Sequence, residues 1–166
     1  EVNGFADQMN LSSGDDELLM QKIKKETEFE VKFCLNRNAI VSTEANPSMS
    51  KFYNQRKRWS SKGLFYADKF LVVKLIGFYF FFISILAQFL LGIFYNKIFI
   101  FSFIFSFILK ALFEYRILSR GTSLLFDTKI LKPFFAAELF HTPYIVIAGI
   151  AGAFGNFTWK DRKVKR

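Results

Sequence analysis

A third of the way along the chain, Gln55, Arg58 and Trp59 stand at i, i+3 and i+4 within Asn54-Gln55-Arg56-Lys57-Arg58-Trp59. On a helix this spacing puts an amide, a guanidinium and an indole on one face, with Phe52 one turn earlier. A guanidinium offers a fixed fork of donors that matches phosphate oxygens, and an indole offers a flat apolar plane on which a sugar ring can stack. The combination suits a phosphorylated sugar near a membrane. The same residues also suit a basic amphipathic helix lying on anionic headgroups, with Trp59 as interfacial anchor. A second set, Asp15 and Asp16 in Ser13-Gly14-Asp15-Asp16-Glu17, brings two carboxylates together and also satisfies a helix N-terminal capping pattern without any chemistry.

The elements that must carry these residues follow from pattern. Leu18, Leu19 and Ile23 recur at helical spacing after Asp15 and Asp16, and Lys22, Lys24 and Lys25 close the run, an order of charge that the helix dipole favours. Phe29, Val31, Phe33 and Leu35 alternate with polar residues and predict a half-buried strand, with a second strand over 39–43. Asn46-Pro47-Ser48 punctuates the chain before the helix that holds Gln55, Arg58 and Trp59. Too few elements are present to enclose a core, so residues 1–69 are expected to be the trailing part of a larger α/β domain. The opening Glu1, with no Met or signal segment, fits a piece of something longer.

Beyond residue 69 the composition changes. The chain has 24 Phe and is 19% aromatic, and the Phe gathers after Phe70, which marks a membrane protein. Spans are expected at about 70–94 and 98–113, forming a helical hairpin with Lys74 and Lys110 near its headgroup ends. Ser102 and Ser106, among the Phe residues of 101–107, read as lipid-facing filler. A third apolar segment, 133–155, contains Glu138, His141 and Pro143, and its first half is expected to lie in or dip into the cytoplasmic interface, with Glu138 and His141 facing the polar end of a lipid acceptor. A basic tail, 156–166, follows. Net charge is +9, with eleven basic against ten acidic residues in 1–69 and twelve against four beyond. Positive charge flanking apolar runs points to anionic membrane lipids as partners and to no nucleic acid. Cys34 is alone, which excludes an intrachain disulfide or a cysteine zinc site. His141, the only histidine, reads as a polar residue at the end of a membrane segment.

Taken in order, Gly4-Phe5, then Gly14-Asp15-Asp16-Glu17-Leu18-Leu19, then Gln55-Arg56-Lys57-Arg58-Trp59 about forty residues on, and then a membrane hairpin, the sequence resembles the C-terminal part of membrane-bound family-two glycosyltransferases. That group includes cellulose, chitin and hyaluronan synthases and ceramide glucosyltransferases, and its pattern is an acidic pair followed by Q-x-x-R-W. The resemblance covers residues 1–94 and, more loosely, Trp159 to Arg162. It implies a GT-A-like α/β domain ahead of an all-α membrane region, and inverting transfer of a sugar from a nucleotide-sugar to a hydroxyl of a lipid or growing glycan.

Carried over by residue, Asp16 matches the family's general base, with Asp15 as its acidic neighbour. Gln55 and Arg58 match contacts to the donor diphosphate, and Trp59 matches the acceptor platform. The pair is Asp-Asp where many members have Glu-Asp. A divalent metal, Mg or Mn, is implied through a D-x-D half that these residues lack, so the chain alone is expected to be inactive. The implied protein is integral to the membrane with its catalytic part cytoplasmic. The alternative is a non-catalytic membrane assembly module whose basic helix recruits lipid.

Overall fold

A computed structural model describes residues 2–4, 15–61, 66, 68–154, 157–159 and 162–164, the last two stretches and Asp15 as backbone only. Five helices dominate: α1 (Asp15–Glu26), α2 (Met49–Ser60), α3 (Lys69–Phe94), α4 (Ile98–Leu125) and α5 (Phe134–Phe154). Strands β1 (Phe157–Trp159) and β2 (Arg162–Val164) pair antiparallel, Thr158 opposite Lys163, and are the only strands among the described residues.

The expected α/β class is therefore corrected: the fold is all-α in character, with no GT-A-like sheet among the described residues. Residues 28–36 carry no regular structure, and a single 3-10 turn occupies Arg37–Ala39. Phe29, Val31, Phe33 and Leu35, which alternate as a half-buried strand should, are all exposed. A strand satisfies its backbone only on neighbouring strands, and among the described residues none lies beside this one.

The helices that do form obey local rules. Ser48 caps α2, its side chain accepting from Lys51 N, and Asp68 caps α3 by accepting from Phe70 N and Leu71 N. The hairpin turn between α3 and α4 is fixed by Asn96, whose Oδ1 accepts from Ile98 N. Three helices, α3, α4 and α5, are long and apolar enough to cross a membrane, which makes this an integral membrane protein. Phe94, Phe101 and Phe105 are among the many apolar side chains left outward-facing, as lipid-solvated helices require.

The chain divides into two compact units that are not consecutive in sequence. The first comprises Glu1–Phe33, Glu44–Phe78 and Ile147–Arg166. In it Leu18 and Tyr66 are buried, and the end of α2 meets the end of α5, where Ser60 Oγ donates to Ala148 O at 2.8 Å and also lies 3.0 Å from Lys57 O. Gly152 permits this approach: a Cβ there would overlap Ser60 Oγ and come within 2.9 Å of Lys57 O. Strand β1 runs alongside α2.

The second unit comprises Cys34–Thr43 and Tyr79–Val146. Arg37 closes the C-terminus of α4, its Nε donating to Leu124 O and its Nη2 to Ser123 O, both at 3.0 Å, where unsatisfied carbonyls and the helix dipole favour a cation. Ser102 and Ser106 are not filler: one turn apart on α4, both hydroxyls donate to Gln88 Oε1 on α3. α4 continues past 113 to Leu125, so Lys110 sits near the middle of the helix. α5 runs unbroken through Pro143.

Candidate functional site

Of the residues singled out by sequence, those of the acidic pair and of α2 all belong to the first unit. α1 begins at Asp15, whose side chain lies outside the described residues, and Asp16 is exposed in the first turn with Oδ1 accepting from Glu17 N at 2.8 Å. Tyr66, five residues beyond the Ser61 that closes α2, is buried and hydrogen-bonded to Glu17. Burial, that hydrogen bond, and the charges of Glu17 and Asp16 raise its phenol well above the usual tyrosine value. The acidic turn and the segment after α2 are thus tied together.

On α2, Gln55 Oε1 accepts from Asn46 Nδ2 at 3.0 Å, which leaves the amide NH2 as the end that can donate to an anion. Arg56 lies over Trp59 at 4.5 Å from the ring centroid, and over Phe52 at 4.9 Å. At i, i+4 and i+7 these three form a stacked stripe, and among the described residues the buried Arg56 Nε has no hydrogen-bond partner. The face that carries Trp59 therefore includes the Arg56 guanidinium. Trp59 keeps 42% of its surface exposed.

The second unit contains a constellation that the sequence reading did not assemble. Lys110 on α4 is buried among Glu114 one turn later and Glu138 and His141 on α5. Its ammonium pairs closely with Glu138 Oε1, lies 3.1 Å from Glu114 Oε2 and 3.2 Å from His141 Nδ1, and faces the Phe82 ring at 5.2 Å. His141 Nδ1 is in turn 3.1 Å from Glu114 Oε2. Lys110 and Glu138 are almost wholly enclosed, whereas the Glu114 and His141 side chains keep 27% and 29% exposure and form an open rim.

Glu114, Glu138 and His141 offer ligand atoms within 4.8 Å of one another, a set that could hold a metal ion. The position central to all three donors is occupied by the Lys110 ammonium, which does the same charge balancing from inside the chain. The signal for this quartet was present as spacing: Lys110 and Glu114 at i, i+4, and Glu138 and His141 at i, i+3, each inside an apolar run.

Compared with protein-family models, curated proteins and solved structures, the chain matches none of them.

Proposed function

We propose that this chain serves an inverting glycosyltransferase of the membrane, which moves a sugar from a nucleotide-sugar to an acceptor hydroxyl on a lipid or growing glycan. The observation that carries this reading is the Tyr66 contact, which joins the acidic first turn of α1 to the segment just after Gln55-Arg56-Lys57-Arg58-Trp59. Acid–base and phosphate-binding residues that are 39 positions apart, from Asp16 to Gln55, thereby share one unit.

In this reading Asp16 takes the proton of the acceptor hydroxyl as its oxygen attacks the anomeric carbon from the face opposite the leaving group. The bond to the nucleoside diphosphate breaks, and the configuration inverts. Arg58 and the Gln55 amide NH2 stabilise the charge that develops on the departing diphosphate, and Trp59 supports the acceptor. A divalent metal, if the donor diphosphate is neutralised by one, would need a D-x-D, which these residues lack.

The test is Asp16→Asn in an active full-length protein. Loss of the general base should lower turnover about 100- to 10,000-fold while nucleotide-sugar binding persists. Turnover unchanged at saturating donor would make Asp16 a helix cap only. The second reading, a non-catalytic membrane module, would then stand; it is favoured by the all-helical character and by four basic and no acidic residues on α2.

A finer reading concerns sidedness. α2 is too polar to enter lipid, and β1 lies beside it, so the tail should emerge on the face where α2 lies, which we take as cytoplasmic. Lys165→Cys in a Cys34→Ser background should resist membrane-impermeant thiol reagents in intact cells. Labelling from outside would require α5 to cross and the tail to be external.

A further inference from the structure

We propose that Gln88, Ser102 and Ser106 form the contact through which two copies of this chain associate within the membrane. All three belong to the second unit, and the inference does not depend on the transfer reaction. Gln88 on α3 is bonded to both hydroxyls of α4, Ser102 at 2.8 Å and Ser106 at 3.2 Å, and both bonds use one end of its amide, Oε1. The other end, Nε2, has no hydrogen-bond partner among the described residues. Turning the amide over exchanges donor for acceptor and leaves the same outer end unused.

Depth makes that unused end costly. Tyr95, Asn96 and Lys97 form the turn between α3 and α4, and an aromatic ring and a cation at a helix end mark the membrane surface. Gln88 precedes Tyr95 by seven residues, which on a helix places it about 10 Å below that surface. A glutamine side chain is shorter than this, and acyl chains offer neither donor nor acceptor, so the outer end of the amide has to be satisfied by protein.

A second copy supplies what the first lacks. Ser102 is exposed, and its hydroxyl both donates and accepts. In either orientation of the amide, the outer end of Gln88 therefore finds its complement in Ser102 of a twofold-related copy, and that copy's amide finds it in the first Ser102. One contact yields two crossing bonds. Small side chains let the helices approach: the exposed Ser84 lies one turn before Gln88 on α3, and Ser102 and Ser106 lie one turn apart on α4. Small residues and interhelical hydrogen bonds are what hold membrane helices together. No charged residue lies within four positions of Gln88 on α3 or of Ser102 on α4, so the face calls for a neutral, self-complementary occupant and not for an ionic one.

The lone Cys34 is exposed and takes a fluorophore. The full chain, labelled there with donor or acceptor and reconstituted in phosphatidylcholine vesicles, is followed by energy transfer over a range of protein-to-lipid ratios. Transfer should rise with that ratio and fit two copies. Gln88→Leu, which keeps bulk but loses the amide, and Ser102→Ala should each weaken association about tenfold, the loss of two interhelical bonds of the modest strength found in membranes. Ile104→Ala, on the side of α4 opposite Ser102, should change it by no more than about twofold. Because Gln88→Leu also unties α3 from α4, a second measurement leaves the three residues intact. In a Cys34→Ser background, oxidation should join two copies through Leu109→Cys, two turns beyond Ser102 on its own face, and far less through Ile104→Cys, although the two positions are equally exposed at 43% and 45%. Monomers at every ratio, transfer that fits more than two copies, association indifferent to both Gln88→Leu and Ser102→Ala, or equal cross-linking at the two cysteines would overturn the proposal. Association that needs other membrane proteins would assign this face to a different partner and overturn it as well.

Discussion

On α2, four basic side chains and no acid lie along a helix with no buried residue, and one of them, Arg56, spends its charge against the faces of Phe52 and Trp59. On α4 a single lysine is withdrawn from solvent and surrounded by two carboxylates and an imidazole. The same kind of side chain therefore does two different jobs. Where water is close, cationic groups are individually cheap, interchangeable for stability and available to a ligand. Where it is absent, one cation becomes obligatory, because removing it strands the acid it neutralises.

That difference is most directly broken at Lys110. Lys110→Met leaves Glu138 buried without its partner and should cost about 3–5 kcal/mol in detergent-solubilised unfolding. Lys110→Met combined with Glu138→Leu should recover most of the loss, because the desolvation penalty leaves with the pair. A loss that stays as large in the double variant would mean that the pair fixes helix position in some way beyond charge balance. Lys51→Met on α2, by comparison, should shift stability by no more than about 0.5 kcal/mol.

A smaller effect tests the packing side of the comparison. In the first unit α2 is held by close approach and not by charge: Ser60 bonds Ala148 O, and Gly152 leaves no room for a side chain. Gly152→Ala should destabilise by about 1–3 kcal/mol through overpacking, against its intrinsically better helix propensity. Ser60→Ala should relieve part of this, because the hydroxyl is the first atom met, but not all of it, because Lys57 O remains 2.9 Å from the added carbon. Full relief would mean that the backbones themselves are free to adjust.

The contrast also explains which features were legible in the sequence. The membrane helices were, because composition over twenty residues is a local signal, and so was the start of α1 near Asp15 or Asp16. The strands over 29–35 and 39–43 were misread because alternation is a promise of partners, and partners are not a local property. Lys110 was read as lying near headgroups, and Glu138 and His141 as polar groups of a segment at the interface, so the two helices were never connected. Their meeting depends on α4 continuing to Leu125 and on α5 passing through Pro143 unbroken, neither of which the apolar pattern conveys. On α2 the i, i+3, i+4 face was drawn through Arg58, while a stripe at Phe52, Arg56 and Trp59 was equally available to the same arithmetic.

The mildest prediction concerns Tyr66, the one buried titratable group described in the first unit outside the helices. Its phenol is raised above the ordinary value by burial first, then by the hydrogen bond to Glu17 and the nearby carboxylates. In the unfolded chain it ionises near the usual value of about 10. Below that pH both states hold the proton, and the full stabilisation is present. As pH rises through about 10 the unfolded state loses its proton while the folded state keeps it, so stability falls, at up to about 1.4 kcal/mol per pH unit, until the folded phenol also ionises. Tyr66→Phe has no proton to lose. It should cost about 1 kcal/mol at neutral pH, for the hydrogen bond to Glu17, and this deficit should shrink and then reverse between pH 10 and 11 as the wild type weakens. Lysines also titrate in this range, but they cancel in the difference between the two proteins. If that difference stays constant from pH 8 to 11, Tyr66 is neither buried nor paired in solution, and the contact that joins the acidic turn of α1 to the segment after α2 is lost along with the support it gives to the proposed chemistry.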